Sequence, residues 1–349
     1  MNRLDITLEL LTPAFWSGAD QKEVELRSQS VKGILRWWWR AVVGDHRREL
    51  ESLRDEEAQL FGSAESKLRS PLCLQISPVD SANVKDYGGY PWKSGKMVGS
   101  GRYSIDAIEY LAYGPVATVG KGERDDQYRA FDPKFNDRNG RYKKGLILKR
   151  PALEVGNRVV LSLAWRDSSM QDAAPAQVFK AIAAWIAFGG IGSRSRKGWG
   201  AVDLAQVSGE PDKLARLARS EIQKAREGFL KDPGRVHLPT IPRWPTVDCR
   251  KLCYRTDRHQ GWTTLLGELG VQYSNLKKKV GKGNLWIFGS ASPRRASSVF
   301  VTVKRDQNRQ LVGYIWAFPS WKSWKSEKEN EAGKEAWDAF LRQLSVARP

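Results

Sequence analysis

Hydrophobic and polar residues follow two spacings along the first 210 residues. In DITLELL, at residues 5–11, apolar and polar residues alternate, and this period of two predicts a β-strand. The same signal, or a short apolar run, predicts further strands at residues 72–76, 158–165 and 201–207. Apolar residues at the spacings of a buried helix face predict a helix at 31–43, where Ser30 can cap the first turn, and the apolar segment 175–188 predicts a second helix. The predicted order of elements is therefore β-α-β-β-α-β.

This order predicts an α+β, ferredoxin-like (RRM-like) unit, in which one sheet carries two helices on a single face. Between the second and third strands, residues 80–155 are rich in glycine and in charges of both signs. A stretch of that length is expected to form an insertion of hairpins and mobile loops outside the minimal core. A charged helix at 211–231 completes the pattern.

A second set of elements follows a Pro-rich segment at 239–245, which predicts a domain boundary. LFGSAESKLRSPLCLQI (60–76) aligns without a gap with IFGSASPRRASSVFVTV (287–303), and this match predicts an internal duplication. The later patterns predict a strand near Leu252, a helix at 263–280, strands at 298–304 and 311–318, and a helix at 327–344. No second glycine loop or fourth strand is evident. We therefore predict tandem ferredoxin-like domains, one at 1–235 and a degenerate one at 236–349.

Composition narrows the choice of partner. The 349 residues include 58 Lys and Arg against 39 Asp and Glu, which gives a formal net charge of +19. Such an excess favours a polyanion, most often nucleic acid and less often an acidic membrane surface. The chain has no apolar run of about 20 residues for a spanning helix, and its first residues do not resemble a signal peptide. We therefore expect a cytoplasmic protein without a membrane partner.

The cysteines and histidines do not suggest a metal site. Cys73, Cys249 and Cys253 fit a reducing compartment, and the spacing of CRKLC differs from that of a CxxC zinc knuckle. The three histidines are scattered along the chain. We expect neither a metal nor another cofactor.

The first predicted helix, VKGILRWWWRAVV, carries a basic stripe. Lys32, Arg36 and Arg40 are four residues apart, so their side chains follow one helix face. Trp39 is expected to flank the stripe, and Gly33 indicates close approach of another molecule to the backbone. A solvated cationic face is the alternative interpretation.

The segment GGIGSRSRKGWG at 189–200, the glycine loop, holds five glycines, three cations and one indole. It does not match a P-loop or a dinucleotide motif, because it follows a helix and reads Arg-Lys-Gly. We expect a flexible loop whose amides and cations bind a nucleic-acid backbone and whose indole stacks on a base. The residues expected to make these contacts are Gly190, Gly192, Arg194, Arg196, Lys197 and Trp199. A purely structural turn is the alternative.

These motifs together resemble a known family. TPAFWSGADQ, SVKGILRWWWRA, LFGS and GGIGSRSRKGWGAV, in this order, resemble the RAMP superfamily of CRISPR proteins and, within it, subunit one of the type III-B (Cmr) RNA-guided effector complex. The resemblance implies tandem ferredoxin-like domains and a cytoplasmic ribonucleoprotein. It also implies a position at the capping end of the filament, distant from the guide's 5′ tag and near the guide RNA's 3′ portion and the paired target.

The resemblance places the family's glycine-rich loop and helix motif on residues of this chain: 189–200, Lys32, Gly33, Arg36, Trp37 and Arg40. It implies guide (CRISPR) RNA, target RNA and the RAMP backbone subunits as partners. We predict a non-catalytic RNA-binding subunit in antiviral defence, with Trp199 and also Trp39 or Phe15 as stacking surfaces. If the six cations of the stripe and the loop each contact a phosphate of single-stranded RNA, log K should fall against log salt with a slope of about −4.

Two other functions are compatible with the sequence. A metal-independent endoribonuclease needs a general base and an acid, for which His46 and Asp20 are the candidates. In the resembled complex, target cleavage is attributed to the backbone subunits, which argues against catalysis here. An architectural cap would use Trp316, Trp321 and Trp324 for protein contacts, although these could equally pack a second core.

Overall fold

The computed structural model describes most of the chain. The described residues are 2–18, 24–44, 49–79, 84–85, 92–99, 104–119, 145–148, 151–165, 173–231, 242, 244–280, 282–289, 295–321 and 327–345. The helices are α1 (Ser28–Val43), α2 (Leu50–Phe61), α3 (Ala107–Ala112), α4 (Ala173–Phe188), α5 (Asp212–Leu230), α6 (Trp262–Lys279) and α7 (Glu327–Ser345). The strands are β1 (Asn2–Leu10), β2 (Leu72–Pro78), β3 (Val84–Lys85), β4 (Met97–Val98), β5 (Ile105–Asp106), β6 (Val116–Val119), β7 (Gly145–Leu148), β8 (Ala152–Leu153), β9 (Arg158–Trp165), β10 (Val202–Glu210), β11 (Lys251–His259), β12 (Val299–Arg305) and β13 (Leu311–Ala317).

The first sheet has the strand order β10-β1-β9-β2, and every neighbouring pair is antiparallel. With α1 and α4 as the two connecting helices, this is the ferredoxin-like arrangement that the sequence predicts for the first unit. Along β1, Leu4, Ile6 and Leu8 are fully buried, and the residues between them are partly exposed. The observed alternation follows from side chains pointing to opposite faces of a strand.

Helix α1 begins earlier than predicted. Arg27 occupies its N-cap position without a side-chain hydrogen bond, and Ser30 lies inside the first turn. The expected Ser30 cap is therefore wrong. The hydroxyl of Ser28 instead accepts a hydrogen bond from the Ile76 N–H at 3.4 Å, which ties the start of the helix to β2.

The described parts of the 80–155 insertion form short hairpin-like pairs. Strand β3 pairs with β8, β4 with β5, and β6 with β7, all antiparallel. Helix α3 follows β5 and packs on α6. Residues 120–144 of the predicted insertion lie outside the described residues.

The second sheet has the order β11-β13-β12, again antiparallel. Its strands and the helices α6 and α7 agree closely with the elements predicted for the second half. This sheet contains no fourth strand within the residues that the structure describes. Its three strands nevertheless lie in the order that β1, β9 and β2 have in the first sheet.

The two copies of the FGSA element agree at their glycines and at a serine that follows them. Gly62 and Gly289 both have positive φ, at 79° and 94°. In each copy a serine follows eight residues later: Ser70 Oγ donates to the Leu72 carbonyl at 2.8 Å, and Ser297 Oγ donates to the Val299 carbonyl at 2.7 Å. A strand starts at the accepting residue in each case. This agreement supports the duplication.

Both faces of the second sheet are covered. Phe300 and Phe318 on one face pack against Trp38 of α1, with ring centroids 5.8 and 6.1 Å away. Val301 and Ile315 on the other face join a core that includes Leu269 of α6. The second sheet therefore lies between the first unit and α6, and the two halves share buried surface.

Candidate nucleic-acid interface

The arginines of the α1 stripe share one buried carboxylate. Glu57 on α2 is 3% exposed, and its two oxygens accept hydrogen bonds from Arg36 Nε at 2.5 Å and from Arg40 Nη1 at 3.2 Å. The arginine side chains are still 37% and 43% exposed. The predicted stripe therefore exists, but Glu57 neutralises one of its charges and fixes the direction of both guanidinium groups.

Lys32 lies half-buried at the beginning of the stripe. Burial, and then repulsion from Arg36, lower the pKa of this lysine. Its side chain lines a surface cavity of about 450 Å³ together with Ser28, Arg69 and Ser70. Arg69 thus adds to the positive surface at this end of α1.

Gly33 leaves an open notch on the outward face of α1. The residue is exposed, and a Cβ placed on it would meet no atom within 4 Å. Trp37, one turn further along, is half-buried. Packing within the described chain does not require glycine at this position. The close approach of another molecule would explain it.

Trp39 does not flank the stripe as predicted. It is 1% exposed, its Nε1 donates to Gln177 Oε1 at 3.2 Å, and its ring meets Phe61 edge-on. Helices α2 and α4 cover the face of α1 that the sequence of α1 alone predicts to be exposed. Trp39 therefore cannot stack on a base in this structure, whereas Trp37 retains exposed surface.

The glycines of the glycine loop are required by the chain itself. Gly192 and Gly200 have φ of 80° and 63°, and an added Cβ would collide with the carbonyl of Phe15 or of Ile191. Gly190 is buried, with Gly200 O only 2.6 Å from its Cβ position. The expectation that Gly190 admits a partner's backbone is therefore wrong, and the glycines follow from a tight turn.

Hydrogen bonds tie the glycine loop to both halves of the molecule. Ser193 N–H donates to the Phe15 carbonyl at 2.8 Å, and Thr12 Oγ1 donates to the Gly198 carbonyl at 2.7 Å. On the other side, Val301 N–H of β12 donates to the Arg196 carbonyl at 3.0 Å. The loop is thus a packed connection, close to the structural turn that was the alternative interpretation.

Trp199 is also buried, contrary to its predicted stacking role. Its ring is 0% exposed and lies 4.7 Å from Phe15 and 5.2 Å from Trp92, measured between centroids. Phe15 itself is 1% exposed. Both rings belong to the core beneath the loop and have no face for a base.

Arg196 joins the glycine loop to α1. Its guanidinium carbon lies 4.9 Å from the ring centroid of Trp37 and 4.8 Å from that of Phe300, while Nη1 donates to the Ser297 carbonyl at 3.0 Å. Burial lowers the pKa of Arg196 to about 10, so the group is still charged at neutral pH. The helix and the loop are therefore in direct contact.

Lys197 lies beside Tyr273 of α6. Its Nζ is 3.7 Å from the ring centroid and donates to the tyrosine hydroxyl. Burial, together with repulsion from neighbouring cations, holds the pKa of Lys197 well below its ordinary value. Those cations are Arg194, Lys277 and Arg196. An anion near this group would favour the protonated lysine.

Arg194 is the exposed cation of the glycine loop. It adopts φ of 63°, and its Nη2 lies 2.5 Å from the Cβ position of Gly114. A side chain at residue 114 would displace the guanidinium. The loop therefore reaches the end of α3 as well as α1.

Sequence reasoning missed Glu57 and Lys277. In LESLRDEEAQLF, Leu53, Glu57 and Leu60 share a helix face and all three are buried, so an acid at an apolar spacing was the available signal. Lys277 begins a run of three lysines at the end of α6, but only the fold shows that it lies near the loop.

The structure describes only some of the residues on which the endoribonuclease and architectural-cap alternatives depend. His46, Asp20 and Trp324 lie outside the described residues. Trp316 is fully buried and packs edge-on to Phe188, so it belongs to the core. Within the described ranges, no group of three or more His, Cys, Asp or Glu residues could hold a metal ion. No helix in the same ranges is long and apolar enough to cross a membrane.

The motifs described above lie in a region that matches a known protein family. The sequence profile of the RAMP superfamily matches residues 7–203, more than half of the chain. The chain belongs to the RAMP superfamily. The matched range contains α1, α4 and the glycine loop, so the surface formed by α1 and that loop lies inside the superfamily unit.

Two curated relatives come from Pyrococcus furiosus. CRISPR system Cmr subunit Cmr1-2 is 27% identical over 201 residues, which cover 57% of this chain and 94% of that protein. CRISPR system Cmr subunit Cmr1-1 is 27% identical over 190 residues, covering 53% of this chain and 42% of that protein. The chain is thus similar to Cmr1 proteins over its RAMP unit.

Two solved structures share the fold along nearly the whole chain. The apo crystal structure of Cmr1 from Pyrococcus furiosus has a TM-score of 0.54 and 16% identity, covering 99% of this chain and 97% of that one. A chain of Type III-B Cmr-beta bound to cognate target RNA and AMPPnP has a TM-score of 0.51 and 12% identity, covering 98% and 99%. At these identities the likeness concerns the fold.

Proposed function

We propose that the protein is a non-catalytic RNA-binding subunit of a type III-B CRISPR ribonucleoprotein. It would contact the guide RNA's 3′ portion, the target RNA or both at the capping end of the filament, in antiviral defence in the cytoplasm. The observation that carries this proposal is the contact of Arg196 with Trp37, which makes the basic helix and the glycine loop one surface. The similarity to Cmr1 proteins supports the same assignment.

The proposed RNA surface differs from the set inferred from sequence. It keeps the cations Lys32, Arg36, Arg40, Arg194 and Arg196 and the notch at Gly33, and it replaces the buried indoles by Trp37. Lys197 contributes when it is protonated. Because Glu57 cancels one charge of the stripe, four net charges remain, and the expected salt slope for single-stranded RNA is about −3.

A binding role suits the chemistry of this surface better than cleavage. Guanidinium groups hold phosphate oxygens in bidentate contacts and are fully protonated near neutral pH, so they do not act as general bases. Trp37 offers a ring for stacking, and an indole has no group that ionises near neutral pH for acid–base work. The endoribonuclease alternative rests on His46, outside the described residues.

The fold supports the assembly that we propose. We infer that the second half is a degenerate ferredoxin-like copy, with its boundary near residue 235, because it repeats the strand order of the first half and the positive φ of its FGSA glycine. Partners of such a subunit would be the RAMP backbone subunits of the complex. No metal or cofactor is assigned to the binding of RNA.

The test compares the salt dependence of RNA binding in matched variants. Lys32→Gln and Arg194→Asn each remove one cation, and asparagine tolerates the positive φ at position 194. Each is expected to weaken binding of single-stranded RNA and to reduce the magnitude of the salt slope by about 0.7. Arg216→Gln is the control, because it removes the same charge from a 72% exposed side chain on α5.

Equal slopes in all three variants and the wild type would contradict the proposal. The alternative has its own readout: labelled RNA incubated with the protein would give discrete products that disappear in His46→Ala. Intact RNA with the salt dependence described above is the result expected for a binder.

A further inference from the structure

The structure changes where an RNA base can stack. Trp39, Trp199 and Phe15, the rings that the sequence offers, are all at most 1% exposed. Tyr113 is 76% exposed, the highest value among the exposed large hydrophobic residues of the described chain. Its ring makes little contribution to the core, so folding does not explain an aromatic residue at this position.

Tyr113 stands on a firmly packed support. It caps the C-terminal end of α3, whose N-cap residue Asp106 accepts a hydrogen bond from Ile108 N–H at 2.9 Å. Ile108 and Leu111 are buried, and the Ala107 carbonyl lies 2.5 Å from the Cβ position of Gly270 on α6. The backbone that presents the tyrosine is therefore held against the second half, and only the side chain extends outward.

Arg194 reaches the same point from the glycine loop. Gly114, the residue after Tyr113, has φ of 117°, and the Arg194 guanidinium covers the space where its side chain would be. Arg194 is itself an exposed non-glycine residue at φ of 63°, a left-handed conformation that side chains disfavour. The positive φ of Arg194 and the glycine at 114 thus place a cation at the residue that follows the exposed tyrosine.

We propose that Tyr113 stacks on an unpaired base of single-stranded RNA while Arg194 binds the adjacent phosphate. Single-stranded RNA is held by such combinations of aromatic faces and cations, because every base has a π-face and every linkage a charge. This inference rests on the proposed RNA-binding function and extends its surface from α1, through Arg196 and Arg194, to the insertion. A base within a duplex has no free face, so the site selects unpaired RNA.

The experiment uses the full chain and a set of substitutions at one position. Tyr113→Ala and Tyr113→Leu remove the π-face, the second while keeping an apolar side chain, and Tyr113→Phe keeps the ring. Affinity for single-stranded RNA is expected to fall about tenfold in the alanine and leucine variants and to stay unchanged in the phenylalanine variant. Affinity for an RNA duplex is expected to be the same in all of them. Leu217→Ala on α5 is the control, since that side chain is also 52% exposed.

Each result has a defined meaning. Thermal melting should be unchanged, because the Tyr113 side chain lies outside the core. Wild-type affinity in Tyr113→Ala, with weakened binding in Arg194→Asn, would overturn the inference and leave the proposed function standing. Wild-type affinity of Tyr113→Leu for single-stranded RNA would show an apolar contact in place of stacking. That result would also overturn the inference. Absence of binding by the wild-type chain would remove both proposals.

Discussion

Arg36 and Glu57 form a close ion pair beneath the proposed RNA surface: Arg36 Nε donates to the buried carboxylate at 2.5 Å. Arg40 occupies the second oxygen of the same carboxylate at 3.2 Å. Two exposed arginines are thus oriented by one acid that RNA cannot reach. An acid in this position lowers the net charge of the surface but holds its cations in one arrangement.

The Glu57→Gln substitution separates the effect of charge from that of orientation. It adds one positive charge to the surface, which by itself should strengthen RNA binding. We expect binding to weaken instead, by about tenfold, because immobilising each released side chain costs roughly 0.5–1.5 kcal/mol. Affinity for single-stranded RNA should be measured well below the melting temperature of the variant.

Asp55→Asn is the matched control for Glu57→Gln. Asp55 is exposed on the same helix, so the substitution changes the charge equally without releasing the arginines. It should leave binding unchanged or slightly stronger. Stronger binding in Glu57→Gln as well would show that orientation is unimportant.

Gly33 offers a test in which stability and binding move in opposite directions. Gly33→Ala and Gly33→Gln should each stabilise the fold by up to about 1 kcal/mol, because both residues favour a helix and meet open space. Gly33→Gln should nevertheless weaken RNA binding, since its side chain fills the notch. Gly228→Gln on α5 is the control: that glycine is also helical, exposed and free of neighbours within 4 Å. Unaltered binding in Gly33→Gln would mean that RNA does not approach α1 here.

RNA affinity should fall as pH rises because of Lys197. Its lowered pKa means that the free protein loses this proton at a pH below the ordinary 10.5, whereas a phosphate favours the protonated form. The groups facing its ammonium are Arg194, Arg196, Lys277 and Tyr273. Binding should therefore be accompanied by proton uptake at pH values above the lowered pKa of Lys197. Lys197→Arg, which stays charged, should flatten the pH profile; the same profile in both proteins would exclude Lys197 as its source.

Gly200→Ala should destabilise the fold severely. The substitution combines a φ of 63° with a collision between Cβ and the Ile191 carbonyl, and we expect a loss of more than about 3 kcal/mol in the free energy of unfolding. Gly156→Ala is the comparison, because it has φ of 86° but open space, and should cost about 1–2 kcal/mol. The free energies of unfolding should be compared by urea denaturation. Equal losses in Gly200→Ala and Gly156→Ala would show that the backbone relaxes to relieve the collision at residue 200.

Lys304 gives a pH-dependent stability that is independent of RNA. It is 1% exposed, donates to the Val202 carbonyl at 3.1 Å, and burial lowers its pKa to about 7. Since the unfolded chain holds this proton up to about 10.5, the free energy of unfolding should rise between pH 7 and that value. Lys304→Met should raise the melting temperature most at and below pH 7 and flatten the rise. A variant less stable than the wild type at pH 7 would contradict this.

Local patterns were sufficient to predict most elements, because strands and helices that bury one face repeat at fixed spacings, as β1 and α1 show. The roles of individual side chains depend on what covers them. Trp39 was misplaced because α2 and α4 cannot be positioned from the α1 sequence, and Trp199 because the core beneath the loop comes from distant segments. The glycine loop was interpreted as shaped for a ligand, whereas contacts such as Gly200 with Ile191 lie within the loop itself.

The enclosure of the second sheet limits how this chain can be divided. Phe300, Trp316 and Phe318 meet Trp38 and Phe188 across the two halves. A fragment ending near residue 235 would expose Trp38 and Phe188 to water and would be expected to aggregate. The superfamily unit of this protein is therefore not a separable module, and the proposed binding of RNA has to be measured on the undivided polypeptide.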